Sequence, residues 1–437
     1  MSQSLEAWLR RQHECAARYL RLSISPTQLS KVRPGFGSVV RGARGAVVAS
    51  PVLADYDPEP DYFYHWFRDS ALVMAALHTL PSPESTRDFA DFVDFSLALR
   101  RLDGRALCAD ARWREAVRDT HRPYLRDDAE LARVHGEAVA AEARVQADGS
   151  LDFSRWARPQ HDGPPLRLLA ALRWWPDVEA ELRGPLAELM HADLAFTRAH
   201  AAQPSYDIWE EELGEHYYNL RLSAAALRQA ALWLAQQNQA GTASACAAQA
   251  AQLLRRLDDF YLAEADGSGY CRSRLQADGS LSAKALDVSV ILAAIHAGEW
   301  RGAHTPADPR LQQTLARLER VFAQLLPINR HRGAGLRPAL GRYPGDVYYD
   351  GGAWYIATLA AAEFCYRAAQ GEARALWRAQ GDEYLQTVRA YTPESGELSE
   401  QIDRDSGAPR SARHLAWSYA AFLSCVNARE ALWRAAP

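Results

Sequence analysis

Two acidic segments of this chain stand in surroundings that a solvated, charged face would not provide. One is Trp209-Glu210-Glu211-Glu212, preceded by Tyr206-Asp207-Ile208; the other is Leu398-Ser399-Glu400-Gln401. A carboxyl beside an indole and apolar neighbours is desolvated, so its pKa rises and it can donate a proton near neutrality. A second, better solvated carboxylate can stay ionised and accept one. Cleavage of a glycosidic bond needs that division of labour, and two carboxyls so placed point to acid/base work on a sugar.

The elements that must position these groups are helical. Ala/Leu/Arg-rich stretches with apolar residues three and four apart predict helices over 5–21, 67–80, 86–100, 125–145, 164–174, 177–200, 216–237, 243–263, 284–298, 308–326, 351–370, 372–390 and 411–433. Strand-like pieces are few and short, such as 45–49 and Tyr270-Cys271, so the class is all-α with functional loops between helices. The polar stretch from Asp103 to Asp148 mixes charges freely and ends in the turn signal Asp148-Gly149-Ser150; it reads as a surface excursion from a single domain spanning 1–437. No repeat of constant period is visible.

Composition narrows the function classes. The chain has 437 residues, 48% of them hydrophobic and 24% charged, which suits one large buried core. A formal net charge of −4 gives no basic face for nucleic acid or anionic lipid. The six cysteines are scattered without a CxxC, so no metal is expected. No phosphate loop or dinucleotide fingerprint follows a strand, so no cofactor is implied. The first residues lack an apolar leader and no uncharged run approaches a membrane span; the expected location is cytoplasmic, with no membrane association. Thirteen Trp and eighteen Tyr are generous, and their flat apolar faces suit pyranose rings.

Five motifs in one order carry a resemblance. They are Val47-Val48-Ala49-Ser50-Pro51 with Asp61 to Ser70; Trp156-Ala157-Arg158-Pro159-Gln160-His161-Asp162; Tyr206 to Glu211; Gly341-Arg342-Tyr343-Pro344-Gly345-Asp346 leading to Trp354; and Leu398 to Gln401 with Ser411-Ala412-Arg413 and Trp417-Ser418-Tyr419. Together they resemble the catalytic domain of fungal-type glucoamylases, glycoside hydrolase family 15. The resemblance implies an (α/α)6 barrel with a loop-built pocket at one end. It makes Glu210 the general acid and Glu400 the general base of an inverting reaction that releases β-D-glucose from the non-reducing ends of malto- or isomalto-oligosaccharides, with the carboxyls about 6.5 to 9.5 Å apart. The neighbours agree: Ile208 and Trp209 favour a raised pKa at Glu210, while Ser399 and Gln401 favour an ionised Glu400.

By the same match Arg68 and Asp69 hold the hydroxyls of the terminal glucose, Tyr64, Trp66, Trp156 and Trp354 line the pocket, and Arg158, Glu211 and Arg342 bind substrate. Without the resemblance, Arg68 and Asp69 would read as an ion pair at a helix start. The loop Glu212-Leu213-Gly214-Glu215-His216 is bulkier and more acidic than the family's usual turn, so a trehalase or an isomaltose-specific hydrolase is the near alternative. A non-catalytic glycan- or protein-binding domain is the distant one, disfavoured by the presence of both glutamates. No starch-binding module is recognised, and an α-glucan or α-gluco-oligosaccharide is the expected partner, with no obligate protein partner.

Overall fold

The computed structural model describes residues 4–55, 58–110, 112–276, 278 and 280–434. Twelve helices make the frame: α1 (Leu5–Arg21), α2 (Phe67–Leu77), α3 (Pro83–Leu99), α4 (Gly163–Trp174), α5 (Ala180–His200), α6 (Tyr217–Gln236), α7 (Ala240–Asp258), α8 (Ser289–His296), α9 (Pro309–Leu325), α10 (Tyr355–Ala368), α11 (Arg374–Tyr391) and α12 (Ala416–Arg434).

Their burial sorts them into two rings. In α10 every residue except Arg367 is buried, and in α6 the buried positions run round the whole first three turns. A helix apolar on all sides must be enclosed by protein. α1 and α9 instead bury one stripe, Trp8, Leu9, Gln12, Ala16, Leu20 and Leu311, Thr314, Leu315, Leu318, Phe322, at the spacing of one helix face. The even-numbered helices pack in the cycle α2, α4, α6, α8, α10, α12, and α12 closes on α2. Outside them α5 lies on α4, α7 on α6, α9 on α8, α11 on α10 and α1 on α12, while α3 leans on α5 and stacks Phe89 on Trp174 at 4.4 Å. This is an (α/α)6 barrel.

The two rings begin differently. Ser4, Ser82 and Asp308 cap the outer helices α1, α3 and α9 with their side chains, and Pro83 and Pro309 follow at the first helical position. The inner helices α2, α6 and α10 have no side-chain cap; each is entered from an extended residue, Trp66, His216 and Trp354. Their first turns therefore open toward whatever the connecting loops build there, with the positive ends of the helix dipoles facing it.

Short strands carry those loops. β1 (Tyr64–Trp66) pairs antiparallel with β2 (Arg144–Gln146), β3 (Ser205–Tyr206) with β4 (Leu213–His216), β4 with β5 (Arg274–Leu275), and β6 (Ala353–Trp354) with β7 (Gln401–Ile402), which also pairs with β8 (Pro409–Arg410). Of the expected strand-like pieces, Tyr270-Cys271 pairs with Tyr261-Leu262, whereas 45–49 makes only a single bridge, Val47 to Ile24.

The expected helix over 125–145 does not form. Asp127 caps a single turn, Asp128–Leu131, by accepting from the Glu130 amide, and Gly136 takes a left-handed φ of 59° that diverts the chain into a 3-10 turn and then into β2. Nor does the 103–148 stretch stay at the surface: Arg126, Glu142, Arg144, Val145 and Gln146 are all buried. Arg126 and Arg158 both bind Glu142, at 2.8 and 2.6 Å, and Arg144 and Arg158 both bind Asp152, at 2.8 and 2.9 Å. Breaking such a network strands a charge, so Glu142→Gln should destabilise the fold by about 3–5 kcal/mol, read as a lower urea midpoint at unchanged slope.

Candidate active site

Glu210 is placed by a turn that its own sequence builds. Between β3 and β4, Asp207 accepts from the amides of Glu211 and Glu212 at 2.8 and 3.0 Å, and its carbonyl accepts from the Glu210 amide at 2.9 Å. These bonds hold Glu210 at φ 65°, a left-handed conformation that is costly for a non-glycine residue and is kept only where the surroundings enforce it. Arg274 fixes the turn from behind, reaching Asp207 at 3.3 Å and Glu212 at 2.5 Å.

The carboxylate of Glu210 faces three donors. Trp66 Nε1 donates to Oε1 at 2.8 Å and Arg68 Nη2 to the same oxygen at 3.1 Å, while Trp156 Nε1 donates to Oε2. The neighbours expected to desolvate it line the same pocket but give it no hydrogen bond: the Trp209 indole donates to Asp287, and Ile208 is buried.

Glu400 is held by the β6–β7–β8 sheet. Its amide donates to the Ala412 carbonyl at 2.8 Å, and Ser411, left-handed at φ 63°, donates its hydroxyl to Oε2. Burial pushes the Glu400 carboxyl up to about 7, against the opposing pull of Ser411, Arg342 and Tyr62. This corrects the expectation that Ser399 and Gln401 keep it ionised: the Ser399 hydroxyl donates to the Gln401 carbonyl, and the Gln401 amide nitrogen to the Tyr348 carbonyl. With this pKa the expected base is charged only above neutrality, and if it serves as base kcat/KM should fall on the acid side of about pH 7. Ser411→Ala removes a bond to the charged form and should move that limb upward by up to ~1 pH unit, seen in a pH profile.

Both glutamates line one pocket with Trp66, Arg68, Asp69, Trp156, Glu211, Arg342 and Trp354. Arg68 bridges Asp162 and Glu210 at 3.3 and 3.1 Å, and burial pushes Asp69 up to about 6 although Arg68 opposes it. Glu211 is gripped by Arg342 at 3.0 Å and by Lys284 and Tyr343 at 2.6 Å each; burial would raise its carboxyl, but these partners outweigh it and hold it below the usual range. Asp69 Oδ2 is paired with Arg68 Nε at 3.3 Å but accepts no hydrogen bond, and the indole nitrogens of Trp354 and Trp417 donate none within the protein.

Two expected pocket residues lie elsewhere. Tyr64 is sandwiched between the guanidinium groups of Arg33 and Arg144, each 4.0 Å from its ring. Arg158 belongs to the buried ion network, and its role is to support Arg144, which stacks 3.6 Å from the Trp156 ring. Sequence reasoning passed over Tyr62 and Tyr348, whose hydroxyls meet at 2.7 Å, and Trp417, all lining the pocket. Each sat inside a quoted motif, yet nothing in one sequence marks which aromatic of a run faces inward. Among the described residues no group of three or more His, Cys, Asp or Glu converges in a way that could hold a metal ion.

Barrel and pocket together define a helical-toroid protein with two carboxyls, indoles and guanidinium groups converging at one end. The family described as Glycosyl hydrolases family 15 matches residues 36–379 and 376–427, and the chain belongs to it. It is similar to the glucoamylase of Neurospora crassa, 29% identical over 89% of this chain and 64% of that protein. It is also similar to the probable glucoamylase of Schizosaccharomyces pombe, 27% identical over 89% and 85% of the two chains. Among solved structures, the Hormoconis resinae glucoamylase superposes with a TM-score of 0.78 at 24% identity, covering 98% of this chain and 74% of that one. The Saccharomycopsis fibuligera glucoamylase also reaches 0.78, at 19% identity, covering 99% and 97%. The chain spans about two thirds of the length of the first of these relatives.

Proposed function

We propose that this protein is an inverting, exo-acting α-glucoside hydrolase that releases β-D-glucose from the non-reducing ends of malto- or isomalto-oligosaccharides. The observation that carries this reading is the convergence of Glu210 and Glu400, from distant motifs, on one pocket whose other walls are indoles and fixed donors. Glu210, as a carboxylic acid, gives its proton to the glycosidic oxygen as the C1–O bond breaks. A water attacks C1 from the opposite face and passes its proton to Glu400. The oxocarbenium-like charge at C1 develops between two carboxyl groups. Asp69 Oδ2 and the indole nitrogens of Trp354 and Trp417 are available to the hydroxyls of the terminal sugar, and a pocket admits a chain end more readily than a chain interior.

The Glu211, Arg342, Lys284 and Tyr343 cluster sets what the second sugar meets. The test is to incubate the purified protein with maltose, isomaltose, trehalose and maltoheptaose and follow the anomers of released glucose by proton NMR. Early β-glucose, fastest from one of the α-1,4 or α-1,6 substrates, is the expected result. Early α-glucose would refute inversion, and no glucose from any of them would refute the hydrolase reading.

A further inference from the structure

The barrel holds a second cavity, of about 200 Å³, that begins behind the active pocket at Trp417 and runs along the axis between the inner helices. Its walls are the later turns of α2, α4, α8 and α10, at Ala76, Arg173, His296 and Arg367, so it reaches the end of the toroid opposite the catalytic loops.

Most of this lining is alanine, leucine and isoleucine, but the far end is charged and unbalanced. Arg367 is spoken for: it binds Glu363 at 3.0 Å and lies 4.0 Å over the Trp300 ring. Arg173 has no hydrogen bond or ion pair to the protein among the described residues, although Glu363 stands near enough to act on it. His296, neutral because burial pushes it down to about 3, spends its Nδ1 on the Tyr218 hydroxyl at 2.8 Å and supplies no anion. Two guanidinium groups thus share one carboxylate at the end of an apolar channel. Room for the second is made by Gly298, left-handed at φ 68°, where a Cβ would stand 2.7 Å from Arg173 Nη2. Arg173 is only partly buried along the cavity, so its guanidinium, without an acceptor from the protein, is open to one from solution, and its planar fork matches the two oxygens of a carboxylate or phosphate.

We propose that this axial cavity is a binding site for a small oxyanion, a phosphate or a short carboxylate, held by Arg173 beside the Arg367–Glu363 pair and separate from the catalytic pocket. Trp300 and Trp417 line the cavity and report its occupancy by fluorescence.

The experiment is a titration of the full chain with inorganic phosphate, and separately with acetate, up to ~50 mM at ionic strength held constant with sodium chloride, following Tm and tryptophan emission. The expected result is a saturable response to at least one ion that weakens ~10-fold or more in Arg173→Gln, with glucose release from maltose unchanged in that variant. Should Arg173→Gln fail to fold, Arg173→Lys keeps the charge without the fork and should show the same weakening. An equal response in the variant, a response lost in Arg342→Gln instead, or no saturable response to either ion would each overturn the proposal. So would a variant whose Tm drops equally with and without phosphate, the signature of a cation that serves only the C-terminal dipole of α4.

Discussion

Glu400→Gln is expected to reduce turnover by ~10²–10⁴-fold while making the protein more stable at neutral pH. The two effects come from one cause. The carboxyl is buried and pushed up from 4.5 to about 7, so its charged form, the one the proposed mechanism needs to accept the water's proton, is the form the fold disfavours. The sign follows from linkage: a group whose pKa is raised on folding contributes most below its unfolded pKa, and that contribution is lost as pH rises through about 7. At pH 8 the neutral amide escapes a penalty on the order of 3 kcal/mol, and at pH 4 it escapes almost none. Thermal unfolding of wild type and variant at both pH values checks this. A Tm gain at pH 8 that vanishes at pH 4, together with lost glucose release, is the expected pair. A variant equally stable at both would remove the desolvation argument, and one with wild-type turnover would remove Glu400 as base.

The all-α class was readable in the chain because its helices are long and strongly periodic, whereas the barrel came from the resemblance. The ring order was not readable, since periodicity says that α10 is buried on all sides without saying that α8 and α12 are its neighbours. The failed helix over 125–145 shows the limit from the other side: its apolar residues had a helical count, but Asp127 and Gly136 supplied a cap and a left-handed stop that outweighed them. In the site, Glu210 and Glu400 were legible as residue types in unusual company. Their electrostatics were not. Trp209, adjacent in sequence, sends its indole to Asp287, while Trp66 and Trp156, distant in sequence, send theirs to Glu210. Desolvation is a property of packing: burial raises the carboxyl of Glu400, whose sequence neighbours looked polar. Arg158 and Tyr64 failed for a related reason: an arginine or tyrosine two residues from a pocket wall serves equally well as the wall's support.

Glu210→Gln is expected to lose a comparable factor of ~10²–10⁴ on maltose, with the opposite effect on stability. Both oxygens of Glu210 accept hydrogen bonds, from Trp66 and Arg68 on one side and from Trp156 on the other. An amide presents only one acceptor atom, so its NH2 must face at least one of these donors, and two donors facing each other in a half-buried site leave one of them unsatisfied. The cost is about 1–3 kcal/mol, and the Tm should fall at every pH where the wild-type carboxylate is ionised. The catalytic loss has its own signature. An acid is needed only when the leaving group must be protonated, and fluoride departs without a proton. α-Glucosyl fluoride should therefore retain far more of its wild-type rate in Glu210→Gln than maltose does, whereas Glu400→Gln, lacking the base that activates water, should be slow on both. Equal losses on the two substrates in Glu210→Gln would mean that the residue does not donate the proton, and the carboxylate among its three donors would then be a fixture of the pocket wall.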